Sequence, residues 1–290
     1  MPLIQPDKRG TAASPGTSEA ISNSTVLQAK LQTLQRVIHD MGSVLVAFSG
    51  GIDSTLVLKV SKDILGEHAI GVTATSATLP AAELSLAQEL GAEIGVRHLV
   101  IDTDQLQIDE FVRNDATRCY HCKTDLYSAL EKLRYDLGMD VIVDGTNADD
   151  LTDDRPGLVA AREWKVRSPL LDARLSKEEV RSLAKQLGLR NWNKPAAACL
   201  SSRIPRGTPI TKDNLSRVER AEAVLLQEGF RQCRVRDHEA TARIEVSPEE
   251  FEGLHDQDKR ARIVAAIKSI GFRIVTVDLE GYRRGSANAG

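Results

Sequence analysis

The feature that most constrains the fold of this chain is a glycine turn that directly follows an apolar segment. Residues 44–48 form the continuous apolar run Val-Leu-Val-Ala-Phe, which is typical of a strand buried on both faces of a parallel sheet. The run leads into Ser49-Gly50-Gly51-Ile52-Asp53-Ser54-Thr55 and then into a helical pattern. Two glycines let the backbone approach an anion closely, and the free amides at the start of the helix can hold a phosphate group. The segment therefore predicts a strand–loop–helix unit that binds phosphate.

Strands and helices alternate around this loop at the spacing of a doubly wound α/β fold with a mostly parallel sheet. In a sheet of this kind, the ligand site lies at the carboxyl ends of the strands. Predicted strands at 69–74, 98–101 and 141–143 are interleaved with predicted helices at 24–41, 54–65, 80–90, 105–112 and 123–137.

The pattern changes after Asp172. A helix over 176–187 starts with a capping box formed by Ser176 and Glu179, and the connection over 191–211 is rich in Pro, Ala, Ser and Arg. We therefore expect a disordered tail over 1–23, a phosphate-binding domain over 24–210 and a small α+β domain over 211–290. The elements predicted in the small domain are helices at 213–228 and 256–270 and strands at 232–236, 243–246 and 273–279.

Composition limits the classes of partner and compartment. The net charge of −3 and the pI of about 6.1 argue against a nucleic-acid partner, which normally requires a basic face. No apolar run reaches the roughly 18–20 residues that a membrane span needs, so we expect no membrane partner. The N-terminal residues lack the apolar core of a signal peptide, and we therefore expect a cytoplasmic protein with reduced thiols. The four cysteines are then ligands, reactive thiols or core residues rather than disulfides.

The glycine loop differs from the P-loop of kinases and GTPases, because no lysine follows its glycines. An ordinary Gly-Gly turn with Asp53 or Ser54 as a helix cap is the alternative, but the complete loop after a buried strand favours phosphate binding. The loop resembles the Ser-Gly-Gly-X-Asp-Ser signature of the PP-loop ATP pyrophosphatase superfamily. This resemblance implies an enzyme that cleaves ATP to AMP and pyrophosphate, with Mg²⁺ on the phosphates. The residues assigned to ATP, around the pyrophosphate and beside the nucleoside, are Ser49, Gly50, Gly51, Asp53, Ser54, Thr55 and Ala74.

Three cysteines form a second candidate site. Cys119 and Cys122 form a Cys-X-X-Cys motif just before a predicted helix, and Cys199 lies in the connection. Such a motif at a helix start predicts lowered thiol pKa values and therefore metal ligation or redox chemistry. The residues alone leave four interpretations open: a redox dithiol, a zinc site completed by His121 or Cys233, an iron–sulfur cluster with one open iron, and unrelated core thiols.

The predicted strand over 232–236 alternates between two chemically different faces. Cys233 and Val235 lie on one face, and Arg234 and Arg236 lie on the other. Cys233 is most simply a small buried residue. The two arginines form either a solvated face or a phosphate clamp, and the sequence favours neither interpretation.

Several short motifs, taken together from about Thr25 to Arg284, resemble the LarE family of sulfur transferases, also named sulfur insertases. They are Asp144-Gly145-Thr146-Asn147-Ala148-Asp149-Asp150, Asp154-Arg155-Pro156-Gly157, Asn191-Trp192-Asn193-Lys194-Pro195, Cys199-Leu200-Ser201-Ser202-Arg203, Arg234-Val235-Arg236 and Ala242-Arg243-Ile244-Glu245. The resemblance implies a small-molecule nucleotide substrate, pyridinium-3,5-biscarboxylic acid mononucleotide. Its carboxylates would be adenylated by ATP and converted to thiocarboxylates, in the synthesis of the nickel-pincer nucleotide cofactor of lactate racemase.

The family resemblance also bears on the source of sulfur. One branch uses a single cysteine, near the position of Cys199, that gives up its own sulfur. This chain has Cys119 and Cys122 as well, and so it resembles the branch in which three cysteines hold a 4Fe-4S cluster with an extra sulfide on its open iron. The resemblance implies these three cysteines as metal ligands and, with Asp53, as catalytic residues. It further implies a homo-oligomer and a sulfide or other sulfur donor that reloads the cluster.

The remaining polar motifs are candidates for substrate and metal contacts. We assign the phosphate of the nucleotide substrate to Ser202, Arg203, Arg234 and Arg236. The acidic residues Asp149, Asp150 and Asp154 either orient Mg²⁺ and the active loop or form a solvated turn.

Three other functions compete with sulfur insertion. A PP-loop tRNA thiolase also combines the loop with three cysteines, but it requires a basic surface or an RNA-binding domain. A carboxylate-amidating synthetase, similar to NAD or GMP synthetases, leaves the cysteines unused. A non-catalytic nucleotide sensor binds AMP without releasing pyrophosphate.

Overall fold

The computed structural model describes residues 16–152, 156–195 and 198–283. None of the helices within these ranges is long and apolar enough to cross a membrane. The helices are α1 (Gly16–His39), α2 (Ile52–Leu65), α3 (Ala81–Ile94), α4 (Asp109–Val112), α5 (Arg118–Asp136), α6 (Pro156–Glu163), α7 (Pro169–Asp172), α8 (Lys177–Gln186), α9 (Lys212–Gln227) and α10 (Gln257–Ile270). The strands are β1 (Val44–Ala47), β2 (Ala69–Thr75), β3 (Arg97–Asp102), β4 (Val141–Val143), β5 (Cys233–His238), β6 (Thr241–Val246) and β7 (Ile274–Val277).

The first four strands form one parallel sheet in the order β3-β2-β1-β4. Val44 of β1 pairs with Ala69 on one side and with Val141 on the other. Because β1 is central, its side chains are buried on both faces of the sheet, which explains the continuous apolar run in the sequence. The predicted α/β class with a mostly parallel sheet is confirmed.

Helices cover both faces of this sheet. On one face, Val44 and Val46 pack in a core with apolar residues of α1, α2, α3 and α8. On the other face, Leu45 and Ile70 pack against α5 and α6, where Tyr127 and Leu130 are fully buried. Because helices cover both faces, the carboxyl ends of β1, β2 and β4 lie at one edge of the sheet, between α2 and α5.

The C-terminal elements form a second, mixed sheet. Strand β5 runs antiparallel to β6, and β7 runs parallel to β6. Helices α9 and α10 cover one face of it with an apolar core that includes Cys233, Val235 and Ile267. Cys233 is 3% exposed, which confirms that it is a small core residue. The division of the chain at residue 210 stays a prediction, because a further apolar cluster joins residues of α4, the Leu200–Arg203 turn and α9.

Several element boundaries differ from the predicted ones. Helix α1 begins at Gly16 rather than at 24, so residues 16–23 of the predicted disordered tail are helical. Residues 1–15 of the predicted tail lie outside the described ranges. Helix α5 begins at Arg118 rather than at 123, because Asp115 accepts a hydrogen bond from the Thr117 backbone N–H at 2.7 Å and turns the chain into the helix.

Other elements were missed or divided. The predicted helix over 105–112 is a 3₁₀ turn, Gln105–Gln107, followed by the short helix α4. The sequence did not predict α6 and α7, which are too short for a helical period to be visible. The predicted capping box at the start of α8 is present, with Ser176 and Glu179 each accepting from the other's backbone N–H.

Candidate active site

Hydrogen bonds of its own serine hydroxyl groups hold the loop after β1 in its conformation. The Ser54 hydroxyl donates to the Gly51 carbonyl at 3.1 Å and accepts from the Ser49 backbone N–H at 3.2 Å. Ser49 Oγ accepts from the Gly51 N–H at 3.3 Å. Gly51 caps α2 without a side-chain hydrogen bond. The first amides of α2 and the positive end of its dipole are therefore available to an anion.

Two glycines let neighbouring segments lie directly against this loop. Gly50 has a φ of 67°, and a Cβ there would lie 3.3 Å from the Ala87 backbone of α3. Gly145 follows the end of β4, and a Cβ there would lie 2.7 Å from the Ser54 backbone nitrogen. Any side chain at Gly145 would displace the start of α2, so this position requires glycine.

A cavity of about 340 Å³ opens at the carboxyl ends of β1, β2 and β4. We call it the nucleotide cavity. Helices α5 and α6 close its sides with residues such as Tyr127 and Leu158. Of the residues predicted to bind ATP, the nucleotide cavity is lined by Ser49, Gly51, Asp53, Ser54 and Ala74.

The other two predicted ATP residues lie behind the loop. Asn191 donates from Nδ2 to the Gly50 carbonyl at 3.1 Å and to Thr55 Oγ1 at 2.9 Å. The Thr55 hydroxyl in turn donates to the Gly51 carbonyl at 2.8 Å. Thr55 is fully buried and Asn191 is 5% exposed. Gly50 and Thr55 therefore shape the loop from behind rather than face the nucleotide cavity.

Asp144, at the end of β4, anchors one wall of the nucleotide cavity. Its carboxylate is 5% exposed and accepts hydrogen bonds from Ser168 Oγ at 2.7 Å, Thr146 Oγ1 at 2.9 Å and Tyr127 OH at 3.2 Å. Lys123 of α5 lies over the Tyr127 ring, with Nζ 5.3 Å from the ring centroid. Although burial acts in the opposite direction, the nearby Tyr127 and Asp144 raise the pKa of Lys123. Lys123 therefore carries a positive charge at the cavity wall.

Asp53, at the start of α2, is held by two partners from distant segments. Asn147 donates from Nδ2 to Asp53 Oδ1 at 3.2 Å, and the Lys177 ammonium forms an ion pair with Asp53 Oδ2. Asp149, near Asn147, accepts a hydrogen bond from the Lys177 backbone N–H at 2.9 Å. Asp150 accepts from the Asn147 backbone N–H at 3.1 Å and lines the nucleotide cavity. The Ala148–Thr152 turn thus holds Asn147 and Lys177 beside Asp53.

A second cavity, of about 430 Å³, contains the three cysteines. We call it the thiol cavity. Cys119 and Cys122 enter it from the first turns of α5, and Cys199 enters it from the residue before the Leu200–Arg203 turn. Cys119 and Cys199 are exposed, whereas Cys122 is partly buried. The structure therefore brings together the three thiols that the sequence singled out, while Cys233 lies in the C-terminal core.

The two cavities meet along one wall. Both are lined by Ser49, Gly51, Asp53, Leu79 and Lys123. The loop after β1 is thus exposed to the nucleotide cavity on one side and to the thiol cavity on the other.

The protonation state of Cys122 differs from the prediction. Burial, followed by the neighbouring Cys199 and Cys119 groups, raises the pKa of the Cys122 thiol to about 12, although Lys123 acts in the opposite direction. The predicted lowering of the thiol pKa at this helix start is wrong for Cys122, because its side chain packs against the apolar cluster that contains Phe111 and Leu200.

The arrangement of the thiols also bears on metal binding. Within the ranges that the structure describes, no set of three or more His, Cys, Asp or Glu side chains is arranged to hold a metal ion. The three thiols are suitable donors that share one cavity, but they are not gathered into a ligand set.

The segment carrying Cys199 is fixed to α5 by buried polar groups. Arg118, immediately before Cys119, donates from Nη1 to the Ser201 carbonyl at 2.9 Å and to Asn114 Oδ1 at 2.6 Å. Asn114 donates from Nδ2 to the carbonyls of Pro205 at 2.8 Å and Thr208 at 2.9 Å. Arg118 is 6% exposed and Asn114 is fully buried. These contacts place the third cysteine beside the first two.

Two of the arginines predicted to hold the substrate phosphate contact the segment that carries Cys199, and both are paired with carboxylates. Arg203 forms an ion pair with Glu222 at 2.8 Å and donates to the Cys199 carbonyl at 3.0 Å. Arg236 forms an ion pair with Glu245 at 2.8 Å and donates to the Ser202 carbonyl at 2.7 Å.

Arg234, the remaining member of this group, lies 5.1 Å from the centroid of the Tyr282 ring. Burial, followed by the nearby charge of Arg203, lowers the pKa of the Arg234 guanidinium. The assignment of these residues to phosphate stays a prediction. Asp154, assigned with Asp149 and Asp150 to Mg²⁺ or to a turn, lies outside the described ranges.

Sequence comparison relates the chain to several curated proteins, although no family model matches it. An uncharacterized protein of Synechocystis sp. is 42% identical over 263 residues, which cover 91% of this chain and 98% of that protein. The pyridinium-3,5-bisthiocarboxylic acid mononucleotide synthase of Lactiplantibacillus plantarum is 40% identical over 267 residues, which cover 90% of this chain and 95% of the synthase. The glutamine-hydrolyzing GMP synthase of Aeropyrum pernix is 26% identical over 217 residues, which cover 68% of this chain and 42% of the GMP synthase.

Proposed function

Because the chain belongs to the LarE family of pyridinium-3,5-bisthiocarboxylic acid mononucleotide synthases, we propose that it converts the carboxylates of pyridinium-3,5-biscarboxylic acid mononucleotide to thiocarboxylates at the expense of ATP. The observation that carries this proposal is the shared wall between the nucleotide cavity and the thiol cavity. A site for activation and a site for sulfur are thereby adjacent.

The first step is activation of the carboxylate. A carboxylate oxygen attacks the α-phosphorus of ATP, the bond to the bridging oxygen breaks, and pyrophosphate leaves. The amides at the start of α2 hold the phosphates, and the charged Lys123 lies at the wall where negative charge develops. Mg²⁺ bound with the phosphates would neutralise part of their charge.

The second step replaces oxygen by sulfur. A sulfur nucleophile attacks the activated acyl carbon, and AMP leaves with the former carboxylate oxygen. We propose that the sulfur is delivered in the thiol cavity by an iron–sulfur cluster on Cys119, Cys122 and Cys199. The three thiols fit such a cluster in chemical kind and share one cavity, although they are not arranged as a ligand set within the described residues. When bound, the cluster supplies the transferable sulfur.

Anaerobic incubation with ATP, Mg²⁺, sulfide and the biscarboxylate nucleotide tests the reaction by product mass. We expect each oxygen-to-sulfur replacement to appear with release of AMP. A mass change in added tRNA, or an amide product, would replace the proposal with one of the competing reactions. AMP binding without pyrophosphate release would identify a nucleotide sensor.

Metal analysis tests the source of sulfur separately. The anaerobically purified protein should contain about four irons per chain if a cluster is present. Cys199→Ala should abolish sulfur transfer and retain ATP binding, whereas Cys233→Ala, at a thiol outside the cavity, should retain both activities. Zinc without iron in an active protein would reject the cluster and leave the rest of the proposal intact.

A further inference from the structure

The peptide bond between Gly50 and Gly51 has its two polar groups on opposite sides of the loop after β1. The Gly50 carbonyl accepts a hydrogen bond from Asn191 Nδ2 at 3.1 Å, behind the loop. The Gly51 N–H points the other way, because the two groups of a trans peptide are antiparallel. It donates to Ser49 Oγ at 3.3 Å, and Ser49 and Gly51 line both cavities. The orientation of this peptide therefore decides whether an N–H or a carbonyl oxygen faces the cavities.

The glycine backbone leaves this orientation open. Gly50 has a φ of 67°, and Gly51 has a φ of −75° with a ψ of 156°. Rotation of the peptide plane between them changes only ψ of Gly50 and φ of Gly51, and glycine tolerates such changes better than any other residue. A carbonyl oxygen turned toward the cavities would repel a phosphate group. A group outside the Gly-Gly pair must therefore hold the N–H on the cavity side.

The Asn191 carboxamide is suited to this task because it faces two acceptors. One is the Gly50 carbonyl, and the other is Thr55 Oγ1 at 2.9 Å, whose own proton is donated to the Gly51 carbonyl at 2.8 Å. Two acceptors require the NH₂ end of the carboxamide, which fixes its orientation. Asn191 Oδ1 is buried without a hydrogen-bond partner among the residues that the structure describes. Such an acceptor costs stability, so the two donors account for an asparagine at this position.

Asn191 is itself held firmly behind the loop. The Lys194 backbone N–H donates to the Asn191 carbonyl at 3.0 Å, and the Lys194 ammonium forms an ion pair with Glu83 of α3 at 2.5 Å. Gly50 lies against α3 as well, since a Cβ there would be 3.3 Å from the Ala87 backbone. Asn191 is only 5% exposed. Turning the peptide would thus break a hydrogen bond that water is not present to replace.

We propose that Asn191 is the positioning residue that keeps the Gly51 N–H turned toward the phosphates of ATP. By holding the Gly50 carbonyl behind the loop, Asn191 adds the Gly51 N–H to the amide donors at the start of α2. A donor that is fixed before the ligand arrives needs no reorganisation when charge develops on the leaving pyrophosphate. This inference rests on the proposed binding of ATP phosphates at this loop, and it adds the residue that sets the direction of one donor.

Calorimetric titration of the full chain with Mg²⁺-pyrophosphate tests this role. Asn191→Leu removes both donors at similar side-chain volume, and we expect it to weaken pyrophosphate binding by roughly 10-fold, as for the loss of one hydrogen bond to a charged group. Asn193→Leu, at an exposed asparagine of the same segment, should leave the affinity within about twofold of the original value. Equal affinities of the original protein and Asn191→Leu would overturn the inference.

The Gly50–Gly51 pair also provides a spectroscopic signature, because it is the only Gly-Gly step in the chain. Protein labelled only with glycine that carries ¹³C at the carbonyl and ¹⁵N gives a single signal in an NMR experiment that correlates each amide with the preceding carbonyl carbon. In the original protein, Mg²⁺-pyrophosphate should move the Gly51 amide proton downfield, since a hydrogen bond to phosphate deshields it. Asn191→Leu should lose this shift, which a general loss of stability would not remove from the folded protein.

The original protein alone keeps the inference open to refutation if Asn191→Leu does not fold. A Gly51 signal that does not respond to pyrophosphate in the original protein, or that responds equally in Asn191→Leu, would overturn the inference. Neither measurement needs an acceptor. Failure of the sulfur-transfer assay would therefore count against the proposed function and not against the role of Asn191.

Discussion

At the residue scale, Thr73 and His98 show how the sheet supports the phosphate loop. The Thr73 hydroxyl donates to the Phe48 carbonyl at 2.7 Å, immediately before the loop. Its oxygen lies 2.8 Å from His98 Nε2. Because the only hydroxyl proton is used on Phe48, Thr73 must accept from His98, which therefore carries its proton on Nε2. Burial lowers the pKa of His98 below its usual value of 6.5.

This shift predicts a pH dependence of stability. The unfolded chain binds a proton at His98 before the folded protein does, so the free energy of unfolding should decrease as the pH falls below about 6.5. His98→Gln keeps a donor near Thr73 but cannot titrate. Urea unfolding between about pH 7.5 and 5 should give a flatter profile for this variant, by at most about 1.4 kcal/mol per pH unit, the limit for one proton. Equal slopes in the two proteins would show that His98 does not carry the dependence.

At the scale of elements, the start of α5 and the segment carrying Cys199 act as one unit. Arg118 and Asn114 connect them through carbonyl groups of that segment. Both side chains are buried, and each satisfies backbone groups that would otherwise lack partners away from water. The spacing of the three thiols therefore depends on two buried side chains that hold backbone carbonyl groups of the Cys199 segment.

Replacing Arg118 should reduce the rate of sulfur transfer and leave pyrophosphate binding unchanged. Arg118→Gln loses the hydrogen bond to the Ser201 carbonyl, and we expect sulfur transfer to fall by about tenfold, equivalent to the loss of about 1.4 kcal/mol. Pyrophosphate affinity should stay within about twofold of the original value, because the loop after β1 is not disturbed.

Arg113→Gln provides the matched control, since Arg113 is an exposed arginine close by with a surface ion pair to Glu110. It should change neither quantity. Parallel losses of sulfur transfer and pyrophosphate binding in Arg118→Gln would indicate a general structural defect instead.

Patterns of adjacent residues in the sequence predicted most of these helices and strands. The features that were not predicted depend on contacts between residues that are distant in the sequence. The apolar run of β1 and the glycine loop predicted the strand–loop–helix unit correctly, because strand burial and turn formation are both encoded in adjacent residues. The start of α5 was misplaced, since a polar Cys-X-X-Cys segment has no apolar period until it packs against Leu200 and Phe111. Lys177 was missed for a different reason: its partner Asp53 is remote in sequence, and a lysine after a helix cap has no special local pattern.

At the scale of the whole molecule, two arginines connect the Cys199 segment to the C-terminal elements. Arg203, which contacts the Cys199 carbonyl, is 3% exposed and pairs with Glu222 of α9. Glu222 also accepts a hydrogen bond from the Val235 backbone N–H of β5 at 3.0 Å. Arg236 of β5 donates to the Ser202 carbonyl. The C-terminal sheet thus supports the segment that carries the third thiol.

Breaking the Arg203–Glu222 pair should destabilise the fold strongly. Glu222→Gln leaves a buried guanidinium without its opposite charge, and we expect a loss of about 3 kcal/mol in the free energy of unfolding, measured in urea. Glu228→Gln, which removes an ion pair to the exposed Arg262, should cost less than about 1 kcal/mol. Similar losses for the two variants would mean that the buried pair contributes no more than a surface pair.

The nucleotide cavity and the thiol cavity share one wall, whose residues line both of them: Ser49, Gly51, Asp53, Leu79 and Lys123. In the proposed reaction, an acyl adenylate made on one side is released toward thiols on the other, without a passage through bulk water. Water is the competing nucleophile that would turn each activation into an idle cycle of ATP hydrolysis. In the proposed reaction, a sulfur source beside the adenylate therefore favours thiocarboxylate formation over this loss.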